Sequence, residues 1–120
     1  MGAWKNLTRD EFKCQHTGEN EIKDELIDFC QWLRDRCGFP LTVTSGYRSP
    51  DHPIEAAKSK PGTHARGLAV DFAVSHGQAR ILTMYALQAA KGGVGINQKG
   101  NGRFVHVDVD LERIGLFWSY

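Results

Sequence analysis

The chain has 120 residues, 41% of them apolar and 24% charged, with a net charge of +1. These values suit one folded domain over residues 1–120 and argue against disorder, while so small a net charge gives no sign of the clustered basic face that binds nucleic acid. No apolar run approaches the roughly 18 residues of a membrane span, and Met1 to Asp10 lacks the apolar centre of a secretory signal.

Thr8-Arg9-Asp10-Glu11 has the form of a capping box and predicts a short helix carrying Phe12. From Glu19 to Arg36, Ile22, Leu26, Phe29 and Leu33 recur at helical spacing, which predicts an amphipathic helix stopped by Gly38 and Pro40. Cys30 and Cys37 share a face of that helix but sit about 10 Å apart in rise, too far for a disulfide. The three cysteines suit small buried apolar side chains in a reducing compartment, with a bridge from Cys14 to one of the others as the alternative. Leu41-Thr42-Val43-Thr44 reads as a short β-branched strand closed by Gly46. Residues 47–63 hold Pro50, Pro53 and Pro61 and read as a long loop with one helical turn near Ile54–Lys58. A loop of that length in a compact domain is usually functional or disordered.

Leu68 to Val74 is a second strand, and Ser75-His76-Gly77-Gln78 is another capping pattern. The helix it opens runs through Ile81, Leu82, Tyr85, Leu87 and Ala89 to a stop at Gly92-Gly93. Val94-Gly95-Ile96 and Arg103–Val109 follow as strands, joined by a turn whose Lys99-Gly100-Asn101-Gly102 suits a hairpin. Ile114–Tyr120 is apolar and aromatic and packs as an edge strand or a cover. This order of elements implies an α+β fold, a mostly antiparallel sheet with helices packed on it.

The chemistry concentrates in three polar residues with apolar or glycine neighbours. His64 ends the proline-rich loop, Asp71 stands between Val70 and Phe72, and His106 stands between Val105 and Val107. Strand alternation puts Asp71 on the face opposite its neighbours and puts His106 and Asp108 together on one face. A buried carboxylate needs a partner, and a divalent cation is one that fits. Two imidazoles and a carboxylate are the ligands of a hydrolytic zinc ion that keeps a fourth position for water. Spacing alone leaves other readings open: hydrogen-bonded structural histidines, and an aspartate paired with Arg48 or Arg66.

Three blocks of the chain carry more than spacing. Ser45-Gly46-Tyr47-Arg48-Ser49, Thr63-His64-x-x-Gly67-x-Ala69-x-Asp71, and Gly92-Gly93-Val94-Gly95 with Phe104-Val105-His106-Val107-Asp108-Val109 resemble the zinc D-alanyl-D-alanine carboxypeptidase and murein endopeptidase family, in its small single-domain branch. The resemblance covers about residues 12 to 110. It implies the hedgehog/DD-peptidase fold, with His64, Asp71 and His106 as ligands of Zn2+ and Arg48 as the residue that holds a substrate oxygen. Many members carry an acid three residues before the last zinc histidine, where this chain has Arg103. In the resembling branch the acid follows the histidine, and Asp108 matches it as the proton-transfer residue; the alternative makes Asp108 an orienter of a ligand or of Arg48. His52 and Glu55 are reserve candidates for proton transfer. The resemblance implies peptidoglycan peptides as partners, without nucleic acid or a membrane span, and a monomer is expected. With no secretory signal in Met1 to Asp10, the expectation is a protein made in the cytoplasm that acts on the cell wall after phage- or host-assisted release. The alternative is a catalytically inactive zinc-containing domain that binds the wall or builds a phage particle.

Overall fold

Five strands form one sheet: β1 (Thr42–Ser45), β2 (Ala69–Ala73), β3 (Val94–Asn97), β4 (Phe104–Asp108) and β5 (Phe117–Ser119). Their order is β1-β2-β4-β3-β5, antiparallel throughout except for β5, which pairs parallel with β3 at the edge. The structure is a computed structural model that describes residues 4–120; Met1, Gly2 and Ala3, part of the expected 1–120 unit, lie outside the described residues. The α+β expectation holds, and so does the mostly antiparallel sheet. The expected boundaries of β1 to β4 agree to within a residue or two, and of the expected edge segment Ile114–Tyr120 only Phe117–Ser119 pairs as a strand.

The two faces of the sheet have different work. Val70 and Phe72 of β2, Val105 and Val107 of β4 and Val94 of β3 point to one face and are buried. The helix α3 (His76–Ala89) packs on that face against β3 and β4, and α1 (Asp24–Cys37) packs against α3. Their buried residues, Leu26, Ile27, Phe29, Cys30 and Leu33 from α1 and Ala79, Leu82 and Ala86 from α3, complete one core with Phe12 and Cys14. The other face carries the polar row described below. Cys14 and Cys30 are buried and all three thiols are free, as the apolar reading of the cysteines expects.

Local chemistry explains most of the element ends. α1 has Asp24 and Glu25 in its first turn and Arg34 and Arg36 in its last, which complements the helix dipole. Gly38 ends it at φ 76°, its N–H bonding to the Arg34 carbonyl at 3.1 Å. The start expected at Glu19 needs correction: the helix begins at Asp24. Residues before it spend their backbone groups on other segments instead, with the Glu19 carbonyl accepting from Cys14 N–H, the Ile22 carbonyl from Arg9, and Lys23 N–H donating to the Gly67 carbonyl. Ile22 is buried by that cross-packing, so its spacing only imitates the helix. The Thr8–Glu11 capping box forms and opens a 3-10 turn over Arg9–Phe12. Ser75, by contrast, makes no side-chain cap bond, and α3 ends at Ala90 in the left-handed region, before Gly92. The helical turn expected near Ile54 is a short α2 (Pro53–Ala56), with the His52 ring accepting from Ile54 N–H.

Candidate metal centre

A single transverse row crosses the polar face of the sheet. Ser45 pairs with Asp71, Asp71 with His106, His106 with Gly95, and Gly95 with Trp118, one residue from each strand. A bulge in β1 between Val43 and Ser45 sets the first of these pairs, and the Thr44 hydroxyl donates to the Asp71 carbonyl at 3.3 Å. Asp71 and His106 are thus direct cross-strand neighbours on the two central strands. His64 comes from the loop before β2, where its Nδ1 donates to the Gly46 carbonyl at 2.8 Å. That bond leaves His64 Nε2 to face Asp71 Oδ1 at 3.3 Å.

His106 is oriented by the same logic. Its Nε2 meets Asp108 Oδ2 at 2.8 Å, so its Nδ1 faces Asp71 Oδ1 at 3.1 Å. His64, Asp71 and His106 are all buried, and one donor atom from each lies within 4.8 Å of the others. With each imidazole donating from its far nitrogen, three lone pairs turn toward one point, an arrangement that suits a cation. Ligand atoms about 2.0–2.2 Å from zinc stand roughly 3.3–3.6 Å apart in a tetrahedron. The separations of 3.1 and 3.3 Å to Asp71 Oδ1 nearly meet that requirement without rearrangement. The group fits a metal ion.

The electrostatics agree with a strongly coupled cluster. Burial works to raise the Asp71 pKa, but the imidazoles of His106 and His64 outweigh it and hold the carboxyl below the usual carboxylate range. Burial works to lower the His106 pKa, and bonds to Asp108 and Asp71 raise it above the ordinary histidine value. Asp108 is depressed despite its burial, by His106 and by the Gly93 N–H.

Asp108 lies at the other nitrogen of the His106 ring, so the imidazole separates it from the converging lone pairs. Its oxygens are also committed: Oδ1 accepts from Gly93 N–H at 2.8 Å and Asp110 N–H at 3.2 Å, and Oδ2 accepts from His106 and from Arg113 Nε at 3.1 Å. Arg48 reaches the cluster from the β1 side, with a guanidinium nitrogen 3.9 Å from Asp71 and another 3.8 Å from Glu55. Arg66 pairs instead with Asp110 at 2.7 Å. Glu55, a reserve candidate, is buried and bound to Lys58 Nζ at 2.7 Å and to Gly62 N–H at 3.1 Å. His52, the other, caps α2 and packs its ring 5.7 Å from that of His16.

Around the cluster lies an open cleft of about 350 Å³, walled by Arg48, Lys58 and Thr63 on one side and by Phe104, Trp118 and Tyr120 on the other. The aromatic wall was not readable as part of a site. Trp118 looks like packing in the sequence, and only the alternation Gly93-x-Gly95 hints that something flat lies across β3.

Three ligand-type side chains on a small α+β sheet, with an arginine beside them, define a metal-dependent hydrolase type of centre. The sequence pattern of the family described as Peptidase M15 matches residues 5–108, and the chain belongs to that family of zinc D-Ala-D-Ala carboxypeptidase-type enzymes. No curated protein and no solved structure matches the chain.

Proposed function

We propose that this chain is a zinc peptidase that hydrolyses an amide bond in peptidoglycan stem peptides or cross-links, with His64, Asp71 and His106 as the zinc ligands. The observation that carries the reading is the convergence of His64 Nε2, Asp71 Oδ1 and His106 Nδ1, each aimed by a hydrogen bond or a strand pairing. Zinc held there would supply a Lewis acid and a bound water whose pKa falls to about 7.

The chain's own residues do the rest. Arg48 is half-buried, and its always-charged fork suits a substrate carbonyl or carboxylate oxygen at the cleft. Asp108 we assign to orienting His106 rather than to proton transfer, because its oxygens are spent behind the ring. A carboxylate behind a ligating imidazole fixes its tautomer and makes it a better donor. Glu55 ties Lys58 and Gly62 together and so holds the loop that presents Arg48. A phage lytic enzyme or virion hydrolase, reaching the wall by phage- or host-assisted release, is the setting we attach to this activity.

One observation favours a second reading, an inactive zinc-containing domain that binds the wall or builds a particle. Among the described residues lining the cleft, Asp71 is the only carboxylate, and the position three residues before His106 is Arg103, not an acid, and is bound to the Gly100 carbonyl at 2.9 Å.

Metal content measured together with turnover on purified murein sacculi separates the two. About one zinc per chain and soluble muropeptides, both lost in His106→Ala, support the peptidase, and the muropeptide masses name the bond. Zinc without released product favours the binding domain. Absence of zinc from the wild type overturns both.

A further inference from the structure

The segment after Asp108 lies outside the stretch matched by the family pattern, yet it returns to the metal centre. A 3-10 turn over Leu111–Arg113 reverses the chain, and β5 then runs parallel to β3, anchored by Val94 N–H to the Leu116 carbonyl at 3.1 Å and Tyr120 N–H to the Ile96 carbonyl at 2.9 Å. Two side chains of this segment meet His106 and its carboxylate. Arg113 Nε donates to Asp108 Oδ2 at 3.1 Å, the same oxygen that accepts from His106 at 2.8 Å. Trp118 sets its ring 5.2 Å from the His106 ring, at 53° to it. The Arg113 guanidinium carbon lies 4.9 Å from the centre of the Trp118 ring. The four residues therefore form a closed circuit, His106 to Asp108 to Arg113 to Trp118 and back to His106.

Two glycines make the circuit possible. A Cβ on Gly95 would stand within 2.4 Å of the Trp118 ring, and one on Gly93 within 2.8 Å. Gly95 is also the strand residue between His106 and Trp118 in the transverse row. With no side chain there, the indole crosses β3 and reaches the imidazole of the next strand. A side chain at 95 would keep them apart.

We infer that Arg113 and Trp118 are positioning residues for the metal ligand His106: Arg113 fixes the Asp108 carboxylate that aims Nδ1, and Trp118 fixes the plane of the imidazole. Both side chains line the cleft, but a guanidinium and an indole N–H offer a cation no lone pair, so toward the ion both act through His106. Loss of either lets the ring tilt or turn and spoils the geometry of the third ligand. This inference rests on the zinc reading of the site.

The test is zinc affinity by chelator competition, with the visible spectrum of the Co2+-substituted protein, for wild type, Arg113→Met, Trp118→Leu and Trp118→Phe. Arg113→Met and Trp118→Leu are expected to weaken zinc binding by about tenfold or more and to shift the Co2+ bands, while Trp118→Phe, which keeps a flat ring, stays near wild type. Far-ultraviolet circular dichroism of the ion-free proteins checks that each variant is folded. Should Trp118→Leu fail to fold, Arg113→Met decides alone, since its side chain is 31% exposed and lies outside the core. Unchanged affinity and unchanged Co2+ bands in folded variants overturn the inference and leave the zinc reading standing. A wild type that takes up neither ion overturns both together.

Discussion

The proposed metal centre is assembled from two regions held by different forces. Asp71 and His106 ride on β2 and β4, the second and third strands of the sheet, Asp71 between the buried Val70 and Phe72 and His106 between the buried Val105 and Val107. His64 and Arg48 ride on loops, held by the bond to the Gly46 carbonyl, by Arg48 N–H to the His64 carbonyl at 3.3 Å, and by the Glu55 clasp. The strand side takes its precision from the sheet register, which a one-residue slip would invert. The loop side takes its precision from a few polar contacts and from close backbone packing. Damage to the first should remove the ion, and damage to the second should mainly misplace what surrounds it.

The strongest test of that contrast is Asp71→Ala, which deletes the oxygen that both imidazoles face. It is expected to abolish zinc uptake and turnover while the ion-free protein stays folded, as read by metal analysis and circular dichroism. Next in size is Gly46→Ala on the loop side. Its Cβ would fall within 2.3 Å of the Phe12 carbonyl oxygen, a backbone atom, so the chain must shift and carry the His64 acceptor with it. A loss of about 1–3 kcal/mol in urea unfolding is expected, with zinc binding weakened but retained. Glu55→Gln should leave zinc affinity within about twofold and raise KM more than it lowers kcat, because it loosens the loop that presents Arg48 to substrate.

Proton linkage gives a further comparison, between the ion-free and zinc-loaded forms. The raised His106 pKa stabilises the ion-free protein below the unfolded value near 6.5, and that stabilisation is lost as pH rises through the folded value. The depressed Asp71 and Asp108 pKa values stabilise it above the unfolded value near 3.9, and that stabilisation is lost on further acidification. Zinc needs Nδ1 free of its proton, so the gap in Tm between loaded and ion-free protein is expected to widen from pH 6 to pH 8. A constant gap over that range would mean that His106 does not ligate. The smallest expected effect is Ser49→Ala. The Ser49 hydroxyl is buried and makes no hydrogen bond among the described residues. Removing it should change stability by less than about 1 kcal/mol, in either direction.

The strand side was the more legible region in the sequence, for a physical reason. A polar residue between apolar ones in a short strand shows its face by alternation, so Asp71 and His106 stand out in the sequence. Asp108 stood out in the same way, but alternation gives a face and not a ring nitrogen. Which edge of the imidazole a carboxylate meets depends on side-chain torsions, and those are settled by Gly93, Asp110 and Arg113 together. The loop side was legible only as a region. Nothing in Pro50 to Pro61 says that Glu55 turns inward, because its burial depends on Lys58 and Gly62 closing around it. Ile22 misled for the opposite reason, since cross-packing buried it at a spacing that a helix would also produce.

The location of β2 and β4 inside the sheet also bears on how fast an ion could leave. The backbones of two of the three proposed ligands cannot part without breaking strand pairs on both sides, so only their side-chain torsions are free to move in the folded sheet. His64 is tied by one side-chain bond to a loop carbonyl, so its departure is the low-barrier route. Exchange of the ion should then follow the opening rate of that loop, proceed in a protein that is otherwise fully folded, and be nearly indifferent to mild denaturant.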